Sequence, residues 1–383
     1  MCIKKNLFEP VCFKNLMLKN RFVRSAVWMQ MADEMGHLTP ELTDVYKQLA
    51  DGGVGLIITG YAYIDKDDQP NSHMIGMYDD VFIDEWKELI QYVHGKGARI
   101  ALQIVSGGSQ THMERAHHLR VLGPSAVQNR VTGILPEAMT HKDIQVLIEN
   151  YRKAAMRAQK AGFDAIQIHA AHGYLLSQFL TPYYNRRTDA YGGCLANRAR
   201  LICEVLKAVR EAVGPYFPVM IKLNFDDFMD EGEGLTFPES LEMFRLVDKL
   251  GLDFIEPSAT NESSGKGLMP AFPRIAKSAK NFSYFREQVA LIAQEISTPV
   301  ILMGGNRDVS VMQSLLEKTN IQLFSMGRTL LSEPDLIHTW ENNPAYVPRC
   351  VACNCCWDTT PNSCLFNRNR KGTCQNGRFD MSS

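Results

Sequence analysis

A chain of 383 residues with 45% hydrophobic, 22% charged and 9% aromatic side chains carries enough apolar material for one large core and is not the composition of a largely disordered protein. Forty-one basic against forty-two acidic side chains leave a formal net charge of -1, so no overall field draws it to nucleic acid or an anionic membrane. No run reaches the roughly 18 uncharged apolar residues of a membrane span, and residues 1–10 lack the apolar stretch of a signal peptide, so a cytoplasmic protein is expected.

Eight short β-branched and aliphatic runs recur along the chain, at 22–27, 54–59, 99–105, 165–170, 219–225, 254–257, 300–303 and 323–326. Each is bounded by Gly, Pro or polar residues, as parallel strands buried on both faces would be. Helical patterns lie between them. Thr39-Pro40 reads as an N-cap followed by proline at the first helical position. Thr140, with Asp143 three residues on, reads as a second cap, and Ile144, Leu147, Ile148, Tyr151, Ala155 and Ala158 then share one face as far as Gly162. Eight strand–helix units predict an α/β fold, a closed (β/α)8 TIM barrel over residues 1–340, with 341–383 as a cysteine-rich C-terminal extension. The long connection 106–139 is expected to cover the barrel mouth.

In such a barrel the C-terminal strand ends form one site. Here they carry Ser25-Ala26-Val27-Trp28, Thr59-Gly60-Tyr61, Gln103, His169 to Tyr174, Lys222-Leu223-Asn224, Glu256-Pro257-Ser258, Gly304-Gly305 and Gly327-Arg328. Glycine backbone amides at the last two ends can approach a phosphate that Arg328 then pairs with; the alternative is tight turns alone. His169 and His172, with Tyr174, allow three roles. Zinc would want a further ligand that the neighbourhood does not offer, and a strand end is a poor place to bury two core histidines. The preferred role is two imidazole donors holding a carbonyl oxygen while the phenol supplies a proton.

The run His169-Ala-Ala-His172-Gly-Tyr174-Leu-Leu-Ser-Gln-Phe-Leu-Thr-Pro, followed by Asn185-Arg-Arg-Thr-Asp189-Ala-Tyr-Gly-Gly193 and Asn197-Arg198, resembles the Old Yellow Enzyme family. The resemblance extends to Asn6-Leu7-Phe8-Glu9-Pro10, Lys19-Asn20-Arg21, Gly53-Val54-Gly55-Leu56-Ile57, Gln103 and Gly327-Arg328. It implies an FMN-bound barrel that reduces the activated C=C bond of an enone, enoate or enoyl substrate with NADH or NADPH, commonly as a homo-oligomer. Carried over, His169 and His172 would bind the substrate carbonyl above the flavin, and Tyr174 would protonate the α-carbon while hydride reaches the β-carbon from flavin N5. Gln103 would bond the pyrimidine side of the ring, Gly60 would leave room beside it, and Gly305, Gly327 and Arg328 would hold the phosphate. Lys222 stands where many members have arginine, and would stabilise the negative charge of the reduced flavin. Ser25, Ala26, Val27 and Trp28 replace the proline-containing loop whose threonine or cysteine often touches the ring; Trp28 either narrows the pocket or is a core aromatic.

Six of the ten cysteines lie between Cys350 and Cys374. Cys350, Cys353, then Cys355 or Cys356, and Cys364 within Ser-Cys-Leu-x-Asn resemble the cluster segment of the 2,4-dienoyl-CoA reductase and enoate reductase branch, with shorter spacing after the second cysteine. Cys350, Cys353, Cys356 and Cys364 are the ligand set carried forward. They suit a [4Fe-4S] cluster or structural zinc, or are a remnant. The branch passes electrons through an appended FAD domain for which 383 residues leave no room, so direct hydride transfer from the nicotinamide is expected. The alternative is a flavin/iron-sulfur electron-transfer protein serving a partner.

Overall fold

The computed structural model describes residues 5–265 and 282–368. Cys374 and the rest of the extension beyond 368 lie outside the described residues. An antiparallel hairpin opens the chain, β1 (Val11–Phe13) and β2 (Leu16–Leu18). Then come β3 (Phe22–Arg24), β4 (Leu56–Tyr63) and β5 (Arg99–Val105). The long connection holds two short strands, β6 (Leu122–Gly123) and β7 (Glu137–Ala138). After them run β8 (Ala165–Ala170), β9 (Val219–Asn224), β10 (Phe254–Ser258), β11 (Val300–Leu302) and β12 (Ile321–Met326). Eight of these close a parallel barrel in the order β10-β11-β12-β3-β4-β5-β8-β9, so each of the eight apolar runs supplies a barrel strand.

The strands read as continuous apolar runs because both faces are buried. Ile57, Ile100, Leu102, Ile166, Ile168, Ile221, Leu223, Ile255 and Phe324 belong to the shell shared with the helices. Their neighbours point inward, since successive side chains alternate across a strand. At the N-terminal end Val23, Leu56, Ala101, Ala165, Met220, Phe254, Ile301 and Leu323 form one apolar layer. Leu16 and Leu18 of the hairpin plug it from below, and Phe13 meets Phe254 edge-on with ring centroids 4.9 Å apart. Two residues further along the strands the interior turns polar, with Ser25, Gln103, Gln167, Lys222, Glu256 and Ser325 all buried. Another two residues bring His169, Asn224 and Ser258 toward the mouth.

Both predicted caps form. Thr39 accepts from the Leu42 amide at the start of the helix Pro40–Asp51. Thr140 and Asp143 make a capping box for the helix His141–Ala161, which stops at Gly162 with φ +97°. Two strands depart from expectation. β3 ends at Arg24, and residues 25–28 leave the sheet to line the mouth. β4 runs past 59 to Tyr63 with a break in register between Ile58 and Tyr61, and such a bulge re-aims the side chains after it. Among the described residues no helix is long and apolar enough to cross a membrane.

Candidate active site

A cavity of about 370 Å³ opens at the C-terminal end of the barrel. Ser25, Ala26, Val27, Trp28, Gln103, His169, His172, Tyr174, Lys222, Gly305, Gly327 and Arg328 all line it. Of the residues expected around a flavin only Gly60 is outside the lining. A Cβ there would stand 2.9 Å from the Val27 carbonyl oxygen, so glycine at 60 lets β4 approach the 25–28 segment rather than making room in the cavity itself.

His172 and Gly173 both have positive φ, +64° and +86°, and this left-handed pair swings the chain off β8 so that His172 and Tyr174 turn back over the barrel. A non-glycine residue held there costs on the order of 1–3 kcal/mol. The His172 amide donates to Asn224 Oδ1 at 3.3 Å, and its Nε2 lies 2.7 Å from Ser258 Oγ. The ring centroids of His169 lie 5.1 Å from those of His172 and 5.0 Å from those of Tyr174. His169 Nδ1 is buried with no hydrogen-bond partner, a polar atom aimed where the protein supplies none. Burial depresses both imidazole pKa values, helped for His169 by His172 and Lys222 and for His172 by Lys222; His172 falls to about 3. Both rings are therefore neutral rather than cationic at pH 7.

The Tyr174 hydroxyl lies 3.2 Å from that of Tyr61, and Asn71 Nδ2 donates to the two phenolic oxygens at 3.1 and 3.2 Å. Burial keeps both phenols protonated by raising their pKa values. Asn71 was not anticipated; it comes from the stretch after β4, far from any strand end in sequence. Tyr61 faces the site because of the bulge. At the rim His112 Nε2 stands 3.2 Å from Glu262 Oε2, and His112 is the one residue of the 106–139 connection in the lining. The connection instead roofs a separate cavity between the segment 65–69, which follows β4, and the helix His141–Ala161.

Lys222 is ion-paired. Its Nζ lies 2.9 Å from Glu256 Oε2, with both side chains buried, and it donates to Ser25 Oγ at 3.1 Å. Gln103 Nε2 donates to Gln167 Oε1 at 2.6 Å, and Gln167 Nε2 donates to the same Glu256 oxygen at 3.0 Å. Gln167, Glu256 and Ser325 are further residues that strand-end reasoning left without a role. The available signal was a polar residue one to three places before a strand end inside an apolar run.

At the other end of the cavity Gly304 and Gly305 take φ of +105° and +73°, and Arg328 donates to Asn354 Oδ1 at 2.5 Å. Asn354 belongs to the extension, which packs over the mouth: Cys350, Ala352, Cys356, Trp357 and Asn362 are part of the cavity wall. Asn362 fastens it, donating from Nδ2 to the Trp28 carbonyl at 2.7 Å and from its amide to the Met29 carbonyl at 3.0 Å. Cys350, Cys353, Cys356 and Cys364 surround one small adjoining cavity, and Cys355 is not among its lining. Burial pushes the Cys356 thiol up to about 12 and the Cys350 thiol up as well. Among the described residues no three His, Cys, Asp or Glu side chains are arranged to hold a metal ion. The residue types gather as a metal would need, while the geometry does not.

The main cavity suits FMN by its chemistry. Polar Gln103 and Lys222 mark one end, Val27, Met303, Met326 and Leu331 supply apolar wall, and two glycine turns with Arg328 mark the other. Its size falls in the roughly 300–1,000 Å³ range of small-molecule sites.

Residues 6–345 match the NADH:flavin oxidoreductase / NADH oxidase family. The chain is 30% identical over 356 residues to an NADH oxidase of Thermoanaerobacter brockii, covering 91% of this chain and 53% of that one. It is 31% identical over 328 residues to an NADPH dehydrogenase of Clostridium acetobutylicum, covering 86% of this chain and 92% of the relative. The structure of morphinone reductase in complex with tetrahydroNAD superposes with a TM-score of 0.73 at 29% identity, over 90% of this chain and 92% of the other. The chain thus spans about half of the first relative and nearly all of the second.

Proposed function

This chain belongs to the NADH:flavin oxidoreductase / NADH oxidase family, and from that premise we propose that it is an FMN-dependent ene reductase of the Old Yellow Enzyme type. The observation that carries the reading is the meeting of His169, His172 and Tyr174 in the one cavity that also holds Gln103, Lys222, Gly305, Gly327 and Arg328. FMN bound there would supply hydride, drawn from NADH or NADPH, to the β-carbon of an α,β-unsaturated carbonyl compound.

The chain's own residues do the rest. Two neutral imidazoles donate to the substrate's carbonyl oxygen, and such donors stabilise the negative charge that grows on it as the β-carbon is attacked. Ser258 and Asn224 hold His172 in place through its Nε2 and its backbone amide. Tyr174 gives its hydroxyl proton to the α-carbon. Asn71 already donates to that hydroxyl oxygen and stabilises the phenolate that remains. Gln103 would bond the ring's polar edge, with Ser25, Ala26, Val27 and Trp28 along its flank. The amides at Gly305 and Gly327 with Arg328 would take the phosphate.

A flavin/iron-sulfur electron-transfer role is favoured by one observation, that Cys350 and Cys356 share the main cavity's wall. No step above is routed through those cysteines.

The test is anaerobic stopped-flow on the FMN-loaded protein, with 2-cyclohexen-1-one as the oxidising probe. In Tyr174→Phe, flavin reduction by the nicotinamide should stay within about twofold of wild type while reoxidation by the enone slows by about 10²-fold or more, the scale of general-acid catalysis. Equal loss in both half-reactions would remove Tyr174 from the proton-donor role.

A further inference from the structure

Glu256 is fully buried inside the barrel, and its carboxylate has every acceptor position in use. Oε1 accepts from Ser25 Oγ at 2.9 Å and Ser325 Oγ at 2.6 Å; Oε2 accepts from Gln167 Nε2 at 3.0 Å and Lys222 Nζ at 2.9 Å. Those partners come from β8, β9 and β12 and from the segment that follows β3, so one side chain ties four parts of the barrel together. Burial by itself would raise this carboxyl's pKa, but the charge of Lys222 and the bonds from Ser325, Lys222 and Gln167 hold it below the ordinary value. It is an anion.

Three of the cavity's expected flavin-binding residues, Lys222, Gln103 and Ser25, hang from this anion. Lys222 pairs with it directly. Gln103 reaches it through Gln167, whose Oε1 takes the Gln103 Nε2 hydrogen; this orients the Gln103 amide and leaves its own Oε1 outside the chain of bonds. Ser25 donates its hydroxyl to Glu256 and accepts from Lys222, closing the ring.

We propose that Glu256 is a positioning residue that neutralises Lys222 and fixes Gln103, so that the polar edge of bound FMN meets a pair with no net charge and the flavin's reduction potential is set lower than Lys222 alone would set it. This rests on the reading that FMN occupies the main cavity. A cation and an anion 2.9 Å apart act on a third group as a dipole, whose influence falls off faster with distance than that of a bare charge. Two-electron reduction makes the flavin more negative. A bare lysine beside it would favour the reduced form strongly; the pair favours it little.

The experiment is spectroelectrochemical titration of the FMN-loaded wild type, Glu256→Gln, and the double variant Lys222→Gln/Glu256→Gln. Glu256→Gln should have a flavin potential more positive by at least about 30 mV, a tenfold change in the two-electron equilibrium. The double variant should return to within about 30 mV of wild type. Bound FMN with a Glu256→Gln potential unchanged or more negative overturns the proposal and leaves the FMN reading intact. If the single variant does not fold, the double variant decides: a potential more than about 30 mV below wild type would mean that Lys222 had been acting as an uncompensated cation. A wild type that binds no FMN overturns the cavity reading and this inference with it.

Discussion

His169 and His172 lie three residues apart in sequence, yet His172 is held by Ser258 and Asn224 while His169 Nδ1 has no protein partner, and burial shifts both far from an ordinary histidine. In an unfolded chain they take up protons near pH 6.5, whereas in the folded state His172 stays neutral down to about 3 and His169 is also held well below its ordinary value. As pH falls through this window the unfolded state binds more protons than the folded one. The stability that depends on neutral imidazoles is thus complete above about pH 6.5 and is lost as pH drops toward 3. His169 is the more enclosed of the two. Replacing it by Gln should flatten the acid side of the stability profile by as much as about 1.4 kcal/mol per pH unit. Urea-denaturation midpoints of the apoprotein from about pH 7 to 4 check this; an unchanged slope would mean that His169 is protonated in the native state.

At the level of elements, the strand–loop junctions aim the site and the helix caps hold the outer layer. The break in register of β4 points Tyr61 at Tyr174, and the early end of β3 frees 25–28 to become cavity wall. On the outside, Thr140 Oγ1 accepts from the Asp143 amide at 3.2 Å while Asp143 Oδ2 accepts from the Thr140 amide at 2.8 Å. Thr140→Ala removes one half of this box at the head of the helix His141–Ala161, whose inner face buries Ile144, Leu147, Tyr151, Ala154, Ala155 and Ala158. The expected cost is about 1 kcal/mol of unfolding free energy, read from chemical denaturation, with flavin content unchanged because the cap does not touch the cavity. A loss of flavin at equal stability would show that this helix start is coupled to the mouth.

For the molecule as a whole, the extension is a wall of the site, fastened to the barrel through Asn362 and Arg328. Quantifying flavin, iron and zinc on one anaerobic sample should give one FMN per chain. About four irons alongside it would assign Cys350, Cys353, Cys356 and Cys364 to a cluster and favour the electron-transfer reading; no metal would leave the extension a structural cover. The sequence by itself determined the barrel, because parallel strands buried on both faces must be written as short apolar runs with helical patterns between them. It also determined most of the cavity lining, since strand ends in a barrel converge on one face whatever the details. Only the tertiary structure decided that Gly60 stands behind Val27, that Asn71 reaches Tyr174, that the extension roofs the mouth, and that Lys222 pairs with Glu256. Those outcomes depend on contacts between residues 33 to 334 positions apart, on a bulge and on a strand that stops early; strand periodicity carries no record of which inward-facing side chains meet across the barrel.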